Sequence, residues 1–161
     1  RASVGPVEVA NAAPPVLAGL MVAAVTGPSA SGAALAVACV AWAPLAAHAG
    51  ALVQEARERP DVALAPVLGE GRARIMLTRV LPGVVPVLAR HAALRLPGVA
   101  LALAGLGFLG LGAQAPTTEW GLVLAEALPY IERAPWAVTT PAGALVLLSV
   151  TAVAASRSGR S

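Results

Sequence analysis

The sequence predicts an all-α fold, a polytopic bundle of about four transmembrane helices. Apolar residues make up 58% of the 161-residue chain and charged residues only 12%, whereas a soluble domain carries about a quarter charged residues to cover its surface. Mean hydropathy is +0.78. The charges are also clustered: none lies between Glu8 and Glu55, between Arg95 and Glu119, or between Arg133 and Arg157. Each gap exceeds the roughly 20 apolar residues that cross a hydrocarbon core.

The first span is expected over Val9–Gly27, with Pro14-Pro15 near its start. Proline is tolerated there when neighbours satisfy the freed carbonyls. Residues 27–32, Gly-Pro-Ser-Ala-Ser-Gly, read as a turn. Ala33–Val53 is the second span, with Trp42 and Pro44. Gln54–Arg79 is a polar loop holding five arginines. Gly83–Gly112 is the third apolar region, interrupted by Arg90, His91 and Arg95. A mixed loop at 113–135 precedes the fourth span, Trp136–Ser156, and the tail ends Arg157-Ser158-Gly159-Arg160-Ser161. The whole chain, 1–161, reads as one transmembrane domain with a charged loop at 54–82. Arginines near span ends favour the cytoplasmic side. They place that loop and the C-terminus in the cytoplasm, in a cell (inner or plasma) membrane, and turn the 113–135 loop outward. The chain begins with Arg1 rather than Met, and a preceding segment is expected.

Several function classes are excluded. The pI of about 10.4 comes from arginines beside apolar spans, without an aromatic-interleaved basic patch, so no nucleic acid is implied. The lone Cys39 excludes an internal disulfide. His48 stands without a ligand set, so no metal site is expected. No nucleophile–base pair and no phosphate-cradling G-x-x-x-x-G-K-[ST] loop is present. The chain is not expected to be an enzyme or to bind a cofactor itself.

Three groups of residues invite a functional reading. Ala73–Leu81 sets Ile75, Met76 and Val80 against Arg72, Arg74 and Arg79 at helical spacing. Such a helix reads either as part of a solvated loop or as one that docks into a partner's groove or lies on the membrane surface. Gly69 and Gly71 bracket Glu70 before it, and Pro82 is expected to end it. Arg90, His91 and Arg95 fall inside an apolar span, either snorkelling to the interface or lining a solute path. Glycines 98, 105, 107, 110 and 112 suggest close helix packing or a kink that accommodates ligand. On the outward loop, Glu119, Glu126 and Glu132 with Trp120, Tyr130 and Trp136 read as an interface belt or a docking face.

The run Glu58-Arg59-Pro60-Asp61-Val62-Ala63-Leu64-Ala65-Pro66-Val67-Leu68-Gly69, followed by Arg79-Val80-Leu81-Pro82-Gly83, resembles the coupling loop of binding-protein-dependent ABC importer permeases. Phe108-Leu109-Gly110-Leu111-Gly112 with Gln114, Pro116, Trp120-Gly121, Glu126 and Ala134-Pro135-Trp136 resembles the outward loop of the dipeptide, oligopeptide and nickel branch. The resemblance implies an ATPase-coupling set of Val62, Ala63, Leu64, Ala65, Leu68, Gly69, Arg72, Ile75, Leu81 and Pro82. It implies a second permease subunit, two ATPase subunits that bind ATP and Mg2+, and an extracytoplasmic solute-binding protein. The transported solute is then a small peptide, nickel or a metal chelate. Six crossings in the family imply that about two helices precede this chain. The family's triplet glutamate falls on Ala63, its third-span glutamate on Leu103, and its C-terminal Gly-Asp pair on Ser156-Arg157. On the sequence alone, a degenerate or structural subunit and a transporter or channel component without an ATPase remain open.

Overall fold

The structure, a computed structural model, describes residues 5–158. Arg1 and Arg160, both used in the orientation argument, lie outside the described residues. The described elements are α1 (Pro6–Ala12), α2 (Pro15–Thr26), α3 (Ala30–Ala41), α4 (Ala43–Glu58), α5 (Pro60–Ala63), α6 (Arg72–Ile75), a π turn (Met76–Val80), α7 (Leu81–Phe108), α8 (Trp120–Ala127), a 3₁₀ turn (Leu128–Tyr130) and α9 (Pro135–Ser158). Among the described residues there is no strand.

Three of the four expected spans are long and apolar enough to cross a membrane: Ala30–Glu58, Arg72–Phe108 and Pro135–Ser156. The first span is interrupted. Pro14 and Pro15 both lack an amide N–H, so neither can donate to the carbonyls one turn back. The chain leaves helical geometry at Ala13 (φ −79°, ψ 123°) and Pro14 (φ −65°, ψ 133°). The remaining apolar helix, α2, has 12 residues, about 18 Å at 1.5 Å per residue, short of a roughly 30 Å core. The expected turn at 27–32 narrows to three residues because Ser29 caps α3, its Oγ accepting from the Gly32 amide at 3.1 Å.

The polar loop is also shorter than its charge pattern predicts, since α4 continues to Glu58. Pro82 does not end a helix as expected. Arg72–Phe108 runs as one helical rod, because the ladder changes register just before the proline. In the π turn the Leu81 amide donates to the Met76 carbonyl five residues back, which lets Pro82 follow without a break. Thr78 Oγ1 donates to the Arg74 carbonyl at 2.8 Å, occupying another acceptor in the widened turn. The rod stops at Gly110 (φ +74°). There the Leu111 amide returns to the Leu106 carbonyl at 2.8 Å and the Gly110 amide to that of Gly107 at 2.9 Å, a Schellman closure that needs a left-handed residue.

Other elements pack on this rod. At its mid-to-far part, Leu106 is fully buried with Ala33 and Val37 of α3, and Gly19 of α2 lies directly under the Leu106 side chain. α8 approaches so closely that a Cβ on Gly121 would collide with the Ala104 carbonyl. The close packing expected of the glycine face on α7 is met at Gly107, against Glu119, and is otherwise supplied by Gly19 and Gly121 on its neighbours. Gly98 and Gly105 face open space. α9 packs along α7 and α8, leaving Val146, Leu147 and Val150 exposed.

Gly121→Val should force α8 off the α7 backbone, which cannot swing aside as a side chain would. A loss of about 1–3 kcal/mol follows from overpacking, read as a lower thermal midpoint of the detergent-purified protein. Gly105→Ala, which fills open space, should leave the midpoint unchanged.

Candidate functional site

The charged loop folds on its own small core. Val62, Ala65, Ile75, Val80 and Val84 are buried together with Ala56 from the end of α4, with Leu52, Val53 and Met76 packed around them. The helical-face pattern of Ile75, Met76 and Val80 is thus realised. A π turn shifts the register of that face at Met76.

Gly69 closes the turn before the rod. Its φ is +81°; the Glu70 amide reaches the Ala65 carbonyl at 3.1 Å and the Gly69 amide that of Pro66 at 3.1 Å. This is again a Schellman closure, and a side chain here would be strained although the space is open. Arg79 then ties the loop to the rod. Its Nε donates to Glu70 Oε2 at 3.1 Å, its Nη2 to Glu70 Oε1, and its Nη1 to the Asp61 carbonyl at 2.9 Å. The hydrogen-bonded Arg79 guanidinium holds the Glu70 carboxyl below its ordinary value, against partial burial, with Arg74 adding to the attraction. Arg59 pairs with Asp61 at 3.0 Å.

The ten coupling residues divide in two. Val62, Ala65 and Ile75 are buried within the loop, whereas Ala63, Leu64, Leu68, Gly69, Arg72 and Pro82 are exposed and Leu81 is half-buried. Val67 and Leu77, with relative exposures of 82% and 65%, extend the exposed apolar surface. A cavity of about 420 Å³ opens beside it, flanked by Arg57 and Arg72 and floored by Val62, Ile75 and Val80.

His91 stacks on His48 of α4, with ring centroids 3.9 Å apart and planes at 15°. His48, which the sequence leaves alone, thus has a neighbour, though stacked rings do not converge their lone pairs on a metal. Among the described residues no cluster of three metal-ligating side chains exists. Arg90 is half-buried on the rod. Arg95 lines a cavity of about 430 Å³ between α1/α2, the α3–α4 joint and α7.

At the far end, Trp120, Glu126 and Trp136 are exposed and Gly121 is buried. Glu119 behaves differently from the other acids of its loop. A Cβ on Gly107 would overlap its carboxylate, and one on Gly112 would sit 2.9 Å from Oε1. The two glycines form a cradle for this side chain, and Oε1 is buried without a hydrogen-bond partner. Burial raises the Glu119 carboxyl above its ordinary value, opposed by the Leu122 backbone amide. The sequence holds both glycines and the acid, but their pairing depends on how the 113–119 turn folds back.

Together these features define a multi-helix membrane component with a folded charged loop at one end and a docked loop at the other. The chain belongs to the family described as the binding-protein-dependent transport system inner membrane component, whose model matches residues 2–157. It is 38% identical over 146 residues to the di/tripeptide transport system permease protein DppC of Pseudomonas aeruginosa (strain UCBPP-PA14), covering 91% of this chain and 48% of the relative. Identity to the dipeptide transport system permease protein DppC of Escherichia coli (strain K12) is also 38%, with the same coverage. The DppC protein of Haemophilus influenzae (strain ATCC 51907 / DSM 11121 / KW20 / Rd) is 33% identical over 144 residues, 89% of this chain and 48% of that protein. The chain spans about half the length of the curated relatives it matches.

A carboxyl whose proton affinity rises on docking docks best below the ordinary carboxylate range, and it loses that advantage as pH rises through that range to the raised value. Amides of residues 118–123 should therefore exchange faster, after correction for intrinsic rates, as pH goes from about 4 to about 8. Glu119→Gln should abolish the dependence. The same pH dependence in the variant would contradict the cradle's role.

Proposed function

We propose that the chain is part of a permease subunit of an ATP-driven importer of small peptides. The charged loop at 54–82 and the C-terminus face the cytoplasm, and the 113–135 loop faces outward. One observation carries the reading: the loop is a compact folded unit on the end of an unbroken rod. A force applied to such a loop is transmitted along a helix rather than absorbed by a flexible link.

The exposed Leu64, Val67, Leu68 and Leu77, with Arg72 and the flanking cavity, offer an apolar and basic surface for an ATPase subunit. Two such subunits bind ATP and Mg2+ and supply the hydrolysis. A second permease subunit completes the path. An extracytoplasmic solute-binding protein delivers the solute against the outward loop, where Trp120, Glu126 and Trp136 are exposed. The relatives are named for di/tripeptide and dipeptide transport, which supports a peptide substrate over nickel or a metal chelate. Arg95 supports the same choice, because a guanidinium in the path repels a bare cation and attracts a carboxylate. Loss of the triplet glutamate at Ala63 leaves the loop's core intact, since that residue is exposed.

The assembled transporter in proteoliposomes should take up a dipeptide with ATP. Gly69→Val, which places a β-branched residue at φ +81°, should lower uptake roughly tenfold while ATP hydrolysis continues. Absence of ATP-driven uptake in the unaltered protein would contradict the function, and unchanged uptake in the variant would contradict the loop's coupling role.

A further inference from the structure

The middle of the bundle combines features that packing alone does not require. α1 and α2 part at Ala13–Pro14, α3 and α4 meet at Trp42 with Pro44 just beyond, and α7 carries Pro97. Irregular backbone at membrane depth persists where it is buried in protein or lines a polar cavity. Here Asn11, Ala13 and Pro15 from the α1–α2 break, with Pro44 just past the α3–α4 joint, where Trp42 keeps helical angles, line the same cavity as Arg95 and Gly98. Its volume of about 430 Å³ falls within the roughly 300–1,000 Å³ of small-molecule sites.

Two polar residues stand in that otherwise apolar lining. Arg95 is its one charged residue. It lies 13 residues before Phe108, about 20 Å along the rod from its far end. Among the described residues, neither its guanidinium nor the Asn11 side chain makes a hydrogen bond or ion pair. The acid nearest in sequence to Asn11, Glu8, already accepts the Gly5 amide at 3.0 Å. The Asn11 carbonyl is followed at its 3₁₀ and α positions by Pro14 and Pro15, neither of which has an amide to offer. Both residues are exposed, so the lining presents the accessible donors of Arg95 and an Asn11 carbonyl without a helical partner.

We propose that this cavity is a peptide-binding station on the path, in which Arg95 takes the terminal carboxylate and Asn11 accepts from a peptide N–H. The proposal rests on the reading of the chain as part of a peptide permease and deepens it. Every unmodified peptide carries these groups whatever its side chains, so the station selects peptides as a class. A guanidinium fork pairs with a carboxylate through two charge-assisted hydrogen bonds, and it has no comparable partner in a peptide amide.

The test uses the assembled transporter with its binding protein in vesicles of zwitterionic lipid. Uptake of dialanine is compared with that of dialanine amide. The same binding protein serves every variant, so its own preference cancels when acid-to-amide ratios are compared. Arg95→Gln should lower the ratio about tenfold, and Arg95→Lys should lower it less. An unchanged ratio in Arg95→Gln, with uptake intact, overturns the carboxylate site and leaves the importer standing. Failure of the unaltered transporter to take up either compound overturns the importer reading and the proposal with it. If Arg95→Gln does not assemble, a Cys39→Ser, Ala41→Cys protein that keeps Arg95 gives the answer. Dialanine should slow modification of the introduced thiol, and its amide should not. Equal effects of the two compounds, a thiol that never reacts because another helix fills the cavity, or protection by phosphatidylglycerol without peptide each overturn the proposal.

Discussion

A helix in a bilayer has to satisfy its own backbone, and the rod from Arg72 to Phe108 stays helical although three prolines each remove a donor. At the first of them, Pro82, the π turn is the step that makes this possible. By donating one residue further back, the Leu81 amide lets the ladder pass a residue that cannot take part in it. Without that shift the charged loop would hang on a kink. With it, the loop core of Val62, Ala65 and Ile75 is continuous with Val80 and Val84 on the rod. α2, α3, α8 and α9 in turn pack against the same helix.

The prolines and glycines divide the labour along this axis. Proline-bearing segments surround the Arg95 cavity at mid-bundle. The glycines at Gly107, Gly112 and Gly121 sit at the far end, where a carboxylate and a helix backbone come within contact distance of the rod. The Arg95 cavity, the docked Glu119 loop and the charged loop therefore all bear on one helix.

Much of this was legible in the sequence. The charge-free gaps gave the spans, and the spacing of Ile75, Met76 and Val80 against three arginines gave the buried face of the loop helix. The Gly69 landmark matched a residue that has to be left-handed. Pro82 misled, because a proline shortly after a helical pattern ordinarily ends it, and a π turn leaves no residue signature of its own. Pro14-Pro15 was visible as a hazard, but whether a double proline bends or breaks a span depends on its neighbours. The pairing of His48 with His91 and of Glu119 with Gly107 and Gly112 joins residues on different elements, so no local periodicity could reveal it. Helical spacing puts Arg95 on the face of His91 and off that of Arg90, and only the packed neighbours say which face holds a cavity.

The central claim is that the rod moves as one body between its two loops. Spin labels at Leu77→Cys and Leu109→Cys, on a Cys39→Ser background in the assembled transporter, read the distance along it by pulsed dipolar spectroscopy. A rigid helix of 32 residue steps gives a single narrow distribution near about 48 Å at 1.5 Å per residue, unchanged when ATP binds. A second, shorter population that appears with ATP would show that the rod bends at the π turn or at a proline, and would contradict transmission along an unbroken helix.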